Sequence, residues 1–492
     1  MESLSRFLSN LVKINHGAVR ATLFFVIIVL YIIVAYSSYG FDDEFYNINI
    51  VENYSLQEII SLAPELNPHH PNWSIYSNAI IFYLTKDWSL VRVFYSLIFL
   101  VGIGLAYRIL NFRDEISKTI MFCLVFLNPS MLMIGTSLRW YSQLIPVVSI
   151  LIAISLRKDT SKVSFWLLFI LLSTLAFNLN YISIFIIPAL LVFLIHRMIL
   201  INQKLHMPLL SILMLIIINI FSLRDFLYKA IHNGDSQTSG LTQSLIGYIE
   251  FQSIGLSSVP NNLAGITGIL VSLSLLGFFI IGFKKLDKKI LFLYLINIIL
   301  IIASGIGGKF RNFYSIIFLD SFVKTKLLST FFNRTIHIFL VLLLLNFTFG
   351  AFNILTHSNT MKGSWNLPYM DTLDTIDNLI KINNCQDSIA ISHDIGIDWH
   401  LKRSSISSLY FYNDKDWIII VKNLKPSCQF YISTSTGSLN RDYKLELDAY
   451  FKNNRDLIQK VFLKEDKAYK IKKLLAPNIQ KYYVEIYLIK NN

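Results

Sequence analysis

Charge is the first thing this chain lacks. Asp, Glu, Lys and Arg make up 15% of its 492 residues, against about 25% in an average soluble protein. Apolar residues reach 54%. A soluble chain of this length would divide into several domains, each with a charged surface. Too little charge is present to cover them, so the apolar excess must meet lipid. Cysteine is also sparse. Cys123, Cys385 and Cys428 form no CxxC pair and no Cys/His spacing of the zinc-binding kind; Cys123 lies inside an apolar run and reads as a small core residue. No basic–aromatic RNA motif accompanies the net charge of +13. The cations flank apolar runs or lie in the C-terminal part, where topology and lipid headgroups account for them and nucleic acid does not. A cleavable leader is not expected either. The apolar run from Ala21 to Tyr39 is longer than a signal-peptide core, and Ser37-Ser38 makes a poor cleavage site.

What is present is a series of apolar runs long enough to span a bilayer, which takes about 20 residues each. They lie near 21–39, 89–110, 119–136, 139–156, 163–178, 181–196, 207–222, 263–283, 290–306, 312–323 and 335–355. The expected fold is therefore a polytopic α-helical membrane protein of about eleven transmembrane helices, the run at 312–323 being short for a span. Every second connection is basic: Arg6, Lys13 and Arg20; Arg108, Arg113 and Lys118; Arg157, Lys158 and Lys162; Arg197 and Lys204; Lys284, Lys285, Lys288 and Lys289; Lys324, Lys326 and Arg334. The positive-inside rule assigns these connections and the N-terminus to the cytoplasm. Two outward loops are long, 40–88 and 223–262. The first contains Leu56–Leu62 and Trp73–Leu84, and the second Leu241–Ile254, all fit for short interfacial helices.

Residues 1–355 form the membrane domain in this reading, and 356–492 a second domain outside the membrane. The second is mixed in charge. β-rich runs at Ser388–Ser392, Ser405–Tyr412, Phe430–Ser433 and Tyr482–Ile489, with helical stretches at Met370–Ile382 and Leu439–Asn453 between some of them, predict an α/β domain. Parity places it on the outer, periplasmic side, where disulfides persist. Cys385 and Cys428 each sit just before an apolar strand. If those strands are parallel neighbours, both sulfurs lie at one sheet edge and a Cys385–Cys428 bond forms; the alternative is two buried thiols.

Two groups of charges stand out. Asp42, Asp43 and Glu44 follow directly on the outer end of the first span. A helix C-terminus already carries partial negative charge, so three carboxylates there call for a compensating cation. Conversely, Arg92, Arg139 and Arg311, with Lys309 beside the last, lie at the outer starts of descending helices. That is the side the positive-inside rule depletes and the helix end that repels cations. A bound polyanion relieves both conflicts; snorkelling into headgroups is the plainer account. Outward carboxylates and cations suit transfer from a polyprenyl-phosphate sugar. A base takes the acceptor hydroxyl proton, fixed positive charge stabilises the departing phosphate, and carboxylate favours an oxocarbenium-like state. Nucleotide sugars are cytosolic, so an outer site implies a lipid-linked donor.

At these motifs the chain resembles the GT-C glycosyltransferases, the bacterial relatives of protein mannosyltransferases and of the aminoarabinose transferase in particular. The resemblance rests on Asp43-Glu44 after helix one and on His69-His70-Pro71-Asn72 in the same loop, where the family's second proline is missing. It continues through Arg92 with Ser96, Arg139-Trp140-Tyr141, and Lys309-Phe310-Arg311-Asn312-Phe313-Tyr314. It implies an enzyme of the bacterial inner membrane, with Asp43 as the acceptor-activating base assisted by Glu44 and Asp42. Arg139, Lys309, Arg311 and Arg92 would hold the donor phosphate. His70, Tyr141 and Tyr314 would bind substrate. Asp43 and His70 would be the ligands if a divalent metal ion takes part, as it does in some relatives. The expected partners are a polyprenyl-phosphate sugar donor, a glycan, lipid A or protein acceptor, and membrane lipids. A serotype-converting glucosyltransferase falls within the same class. An O-antigen polymerase or ligase needs outward arginines but no acidic triplet, and a lipid-linked-sugar flippase or transporter needs charges at mid-membrane.

Overall fold

The computed structural model describes residues 16–37, 42–66, 73–157, 160–232, 263–282, 286–303, 310–329, 333–355, 369–392, 394–404, 406–410, 426–434, 457–462 and 483–490, with 244, 248, 284, 420, 421, 423, 449 and 450. Its helices are α1 His16–Ser37, α2 Asp42–Asn53, α3 Leu56–Leu66, α4 Trp73–Thr85, α5 Trp88–Leu110, α6 Glu115–Phe126, α7 Pro129–Gly135, α8 Trp140–Arg157, α9 Val163–Leu179, α10 Ser183–Leu200, α11 His206–Ile218, α12 Ile220–His232, α13 Leu263–Gly282, α14 Lys288–Ala303, α15 Ile317–Leu328, α16 Asn333–Leu355, α17 Tyr369–Ile382 and α18 Ile395–Arg403. A 3-10 segment, Phe310–Ile316, leads into α15. The strands are β1 Ser388–Ser392, β2 Ser407–Tyr410, β3 Cys428–Thr434, β4 Leu457–Phe462 and β5 Tyr483–Lys490. The chain forms two compact units, Met1–Ser38 with Asn53–Leu355 and Tyr39–Glu52 with Thr356–Asn492.

The first unit is helical. Among the described residues four helices are long and apolar enough to cross a membrane, five if α6 and α7 count as one bent span. Contacts fix their directions. Gly102 meets Pro146, and Asn111 at the end of α5 meets Arg157 at the end of α8; the order rises in both helices, so α5 and α8 run parallel. Arg20 meets Thr119, and Phe24 meets Phe126, so α1 and α6 also run parallel. Phe24 lies level with Gly104 and Tyr31 with Phe99, so α1 opposes α5. α5 and α8 approach closely at Gly102, where an added Cβ would stand 2.4 Å from Pro146 Cβ.

The apolar run at 119–136 is broken rather than straight. Asn128 caps α7 by accepting from the Ser130 amide at 2.9 Å, with Pro129 in the first turn. Proline cannot donate into the preceding turn, and the axis bends by 54° there. The run at 207–222 likewise breaks at Asn219. The short run at 312–323 starts as the 3-10 segment and extends to Leu328. Both short helices expected in loop 40–88 form. α3 opens with a capping box: the Ser55 amide donates to Glu58 at 2.7 Å, and the Glu58 amide to Ser55 Oγ at 3.3 Å. The Ser55 bonds hold the Glu58 carboxyl below its usual pKa. Most of Leu241–Ile254 and Leu439–Asn453 lies outside the described residues.

The second unit is built on a mixed five-stranded sheet of order β2-β1-β3-β5-β4. β1 is parallel to β2 and β3, whereas β5 is antiparallel to β3 and β4. The β4 run, Leu457-Ile458-Gln459-Lys460-Val461-Phe462, is a strand the β-rich runs did not include: Lys460 and Gln459 dilute its apolar signal, and pairing with β5 supplies the rest. Ile391, Val421, Tyr431 and Tyr487 form a buried cluster on it. The register sets Ser388 opposite Cys428. Cys385 and Cys428 are joined by a disulfide with Cα atoms 5.7 Å apart. Beside it the Ser427 amide donates to Asp387 Oδ1 at 2.7 Å, and the Cys428 amide to the Asp387 carbonyl at 3.2 Å.

Composition divides the chain at Thr356, but α2 belongs to the second unit. Phe45 is fully buried among Tyr369, Trp399 and His400, with ring centroids 5.2–5.8 Å away. One face of α2, including Phe45, Ile48 and Val51, is closed from solvent. Trp399 Nε1 donates to Glu52 at 3.0 Å.

Candidate functional site

Asp42, Asp43 and Glu44 are the first three residues of α2. They therefore occupy the first turn of a helix of their own, whose N-terminal pole is positive and favours carboxylates. This corrects the inference that they burden the end of α1 and need a cation to offset it. Glu44 is 1% exposed. The backbones of Asp42 and Asp43 are described, and their side chains lie outside the described set. The next residue is Phe45, so the aromatic cage around it fixes the rotation of the acidic turn. His70 and Lys309 lie outside the described residues.

Arg92 and Arg139 belong to the first unit and are both buried, at 4% and 8% exposure. Arg92 is in the second turn of α5, whose start is capped by Asp87 accepting from the Ser89 amide at 2.7 Å. Arg139 immediately precedes α8. The turn that holds it is stapled from three sides: Asn78 donates to the Leu138 carbonyl at 3.1 Å, Ser96 to the Gly135 carbonyl at 3.3 Å, and Ser77 to Gln143 at 3.1 Å. Ser142 Oγ donates to the carbonyl of Arg139 itself at 2.8 Å. Each such bond contributes about 1 kcal/mol.

Counting from the Gly102–Pro146 crossing, Arg92 lies about 15 Å and Arg139 about 10 Å along the helix axes, at a rise of about 1.5 Å per residue. Because α5 and α8 are parallel, both arginines are displaced toward the same end. Arg157, Arg20 and Arg197 mark the opposite end, through bonds to Asn111, Glu115 and Ser155. The sequence resemblance thus selects two cations that the fold places at one end of one helix pair. A buried guanidinium in an apolar bundle is costly to hold.

Arg311 lies in the 3-10 segment, which packs against α8; its side chain is outside the described set. The ring of Tyr314 is 1% exposed and its hydroxyl donates to Ser130 Oγ of α7. Tyr141 is 3% exposed, with its ring 4.4 Å from Trp140. Both tyrosines are tightly enclosed in the first unit.

Another group escaped the sequence reading. Asp320, 1% exposed on α15, accepts from Tyr294 Oη at 2.6 Å and pairs with Lys324 at 2.6 Å. With its proton committed to Asp320, Tyr294 accepts from Tyr248 Oη, 3.0 Å away. Asp320, Lys324, Tyr314, Asn128 and Asn346 line a cavity of about 60 Å³. The available signal was a carboxylate and a lysine four residues apart in an apolar run. Among the described residues no three His, Cys, Asp or Glu side chains gather as for a metal ion, and the side chains of Asp43 and His70 are not among them.

No protein-family model matches this chain, and no curated protein sequence does. Similarity appears in the fold. The structure superposes on two crystal structures of ArnT from Cupriavidus metallidurans. One is in the apo state, with 8% identity and a TM-score of 0.55; the other is bound to undecaprenyl phosphate, with 9% identity and a TM-score of 0.56. Each match covers 96% of this chain and 98% of the other. The chain therefore has the fold of ArnT, an aminoarabinose transferase of the GT-C family.

Proposed function

We propose that this protein is a membrane glycosyltransferase. It takes a sugar from a polyprenyl-phosphate donor and places it on a hydroxyl of a cell-envelope glycan, lipid or protein at the periplasmic face of the inner membrane. The observation that carries the reading is the pair of buried arginines, Arg92 and Arg139, at the end of the bundle opposite Arg20, Arg157 and Arg197. The fold adds weight, since one protein that shares it was crystallised with undecaprenyl phosphate. In this reading the chain crosses the membrane eleven times, with its N-terminus in the cytoplasm and its α/β unit in the periplasm. The Cys385–Cys428 disulfide suits that oxidising compartment.

Asp43 takes the proton of the acceptor hydroxyl, and the oxygen attacks the anomeric carbon. The carbon–oxygen bond to phosphate breaks, and its electron pair leaves on the polyprenyl phosphate. Arg139, with Arg92, Lys309 and Arg311, holds that phosphate and stabilises its growing charge. Glu44 and Asp42 contribute negative charge that favours the oxocarbenium-like state.

Mass spectrometry of surface glycans and lipid A from a deletion strain, complemented with variants, tests this. Wild type restores the lost modification. Asp43→Asn lowers transfer by about 100-fold or more, as expected for removal of a general base, while retaining the lipid phosphate. Arg139→Gln weakens lipid-phosphate binding. Wild-type transfer by Asp43→Asn rules out the assigned base, and an unchanged glycan and lipid A profile in the deletion strain rules out those acceptors. The buried Asp320 carboxylate, paired with the partly exposed Lys324, is a feature that a lipid-linked-sugar transporter would share. Sugar-lipid translocation without glycosidic transfer in reconstituted vesicles would favour that reading instead.

A further inference from the structure

At the end of the bundle marked by Arg20 and Arg157, a cavity of about 380 Å³ opens between α1, α5 and α6. Its rim is cationic, with Arg20, Arg108 and Lys118; its walls are aromatic, with Phe24, Tyr107 and Phe126. Glu115 pairs with both Arg20 and Lys118 at 2.6 Å. Three cations and one carboxylate leave a net charge of +2 around the mouth. The volume falls within the range of small-molecule sites and far exceeds what an inorganic ion fills. Gly104 of α5 borders the void: a Cβ at that position would meet only Phe24 Cζ, at 4.0 Å. On the same helix Val101 and Leu105 are exposed, as is Phe25 on α1, so the opening adjoins surface that suits acyl chains.

We infer that this cavity is a binding site for an anionic phospholipid. The headgroup phosphate sits among Arg20, Arg108 and Lys118, and an acyl chain lies along the aromatic wall past Gly104. Basic pockets between spanning helices on the cytoplasmic side suit such headgroups, and the positive-inside rule assigns this end to that side. The cavity lies at the end opposite Arg92 and Arg139, and lipid binding there does not depend on the transferase reading.

The test uses the full-length protein in nanodiscs of mixed phosphatidylglycerol and phosphatidylcholine, released for native mass spectrometry. Wild type retains one more phosphatidylglycerol than the variants Arg108→Gln, which removes an exposed rim charge, and Gly104→Leu, which fills the void. Each variant retains that lipid about fivefold less, as expected for loss of one surface cation or of the space for the chain, with an unchanged melting temperature. Equal retention by wild type and both variants overturns the proposal, as does equal retention of phosphatidylcholine. Displacement of the lipid by millimolar inorganic phosphate assigns the rim to a free anion and overturns it too.

Discussion

Phe45 and Gly102 show what single residues decide here. Phe45 is an ordinary aromatic in an acidic stretch, yet its burial among Tyr369, Trp399 and His400 determines which unit carries Asp43. Gly102 is one glycine in a long apolar helix, yet it sets the distance between the helices that present Arg92 and Arg139. Gly102→Val places a methyl-bearing Cβ within 2.4 Å of Pro146 Cβ. The helices must separate or the proline shift, at a cost of about 1–3 kcal/mol. The expected outcome is a lowered melting temperature and weakened binding of polyprenyl phosphate. Binding and stability equal to wild type would show that the α5–α8 crossing does not hold the arginines in place.

At the scale of elements, the parallel pair β1–β3 is closed at one edge by a covalent and a polar link. The disulfide joins residues 43 apart in sequence, which contributes about 2–4 kcal/mol by restricting the unfolded chain. Asp387 and Ser427 exchange bonds next to it. The Ser427 amide, and then its hydroxyl, hold the Asp387 carboxyl below its usual pKa. A depressed folded-state pKa means that this group stabilises the fold above its unfolded value, about 3.9. The contribution fades as pH falls through the lower folded value. The melting temperature of wild type should therefore exceed that of Asp387→Asn by a constant margin at neutral pH, and the margin should shrink below about pH 4. A margin independent of pH would assign the difference to something other than this carboxylate. The broken span α6–α7 is the other element that matters, since its bend at Asn128-Pro129 brings Ser130 to Tyr314.

For the whole molecule, the division into units does not follow the order of the chain. α2 is separated from the rest of its unit by all of the helical bundle except α1, which precedes it. A chain ending at Leu355 should keep its spanning helices but leave Phe45 without its cage. Amide hydrogen exchange over residues 42–53 should then rise to near the unfolded rate while the exchange of α5 and α8 is unchanged. Continued protection of 42–53 would mean that α2 is held by something other than Tyr369, Trp399 and His400.

Much of this was legible before any coordinates. Apolar run length marks spanning helices because lipid offers the backbone no hydrogen-bond partners. Strand-like runs in the tail marked β1, β2, β3 and β5, because alternation and β-branched residues act locally. The order of Asp43, Arg92, Arg139 and Arg311 along the chain pointed to the fold that the ArnT structures share. Four things came only from the tertiary structure: the register that sets Cys428 opposite Ser388, the cage that draws α2 to the tail, the network around Asp320, and the void beside Gly104. Each depends on which distant side chains meet. Hydropathy and periodicity report how a residue relates to solvent and to its near neighbours in sequence, and carry no information about a partner tens or hundreds of residues away.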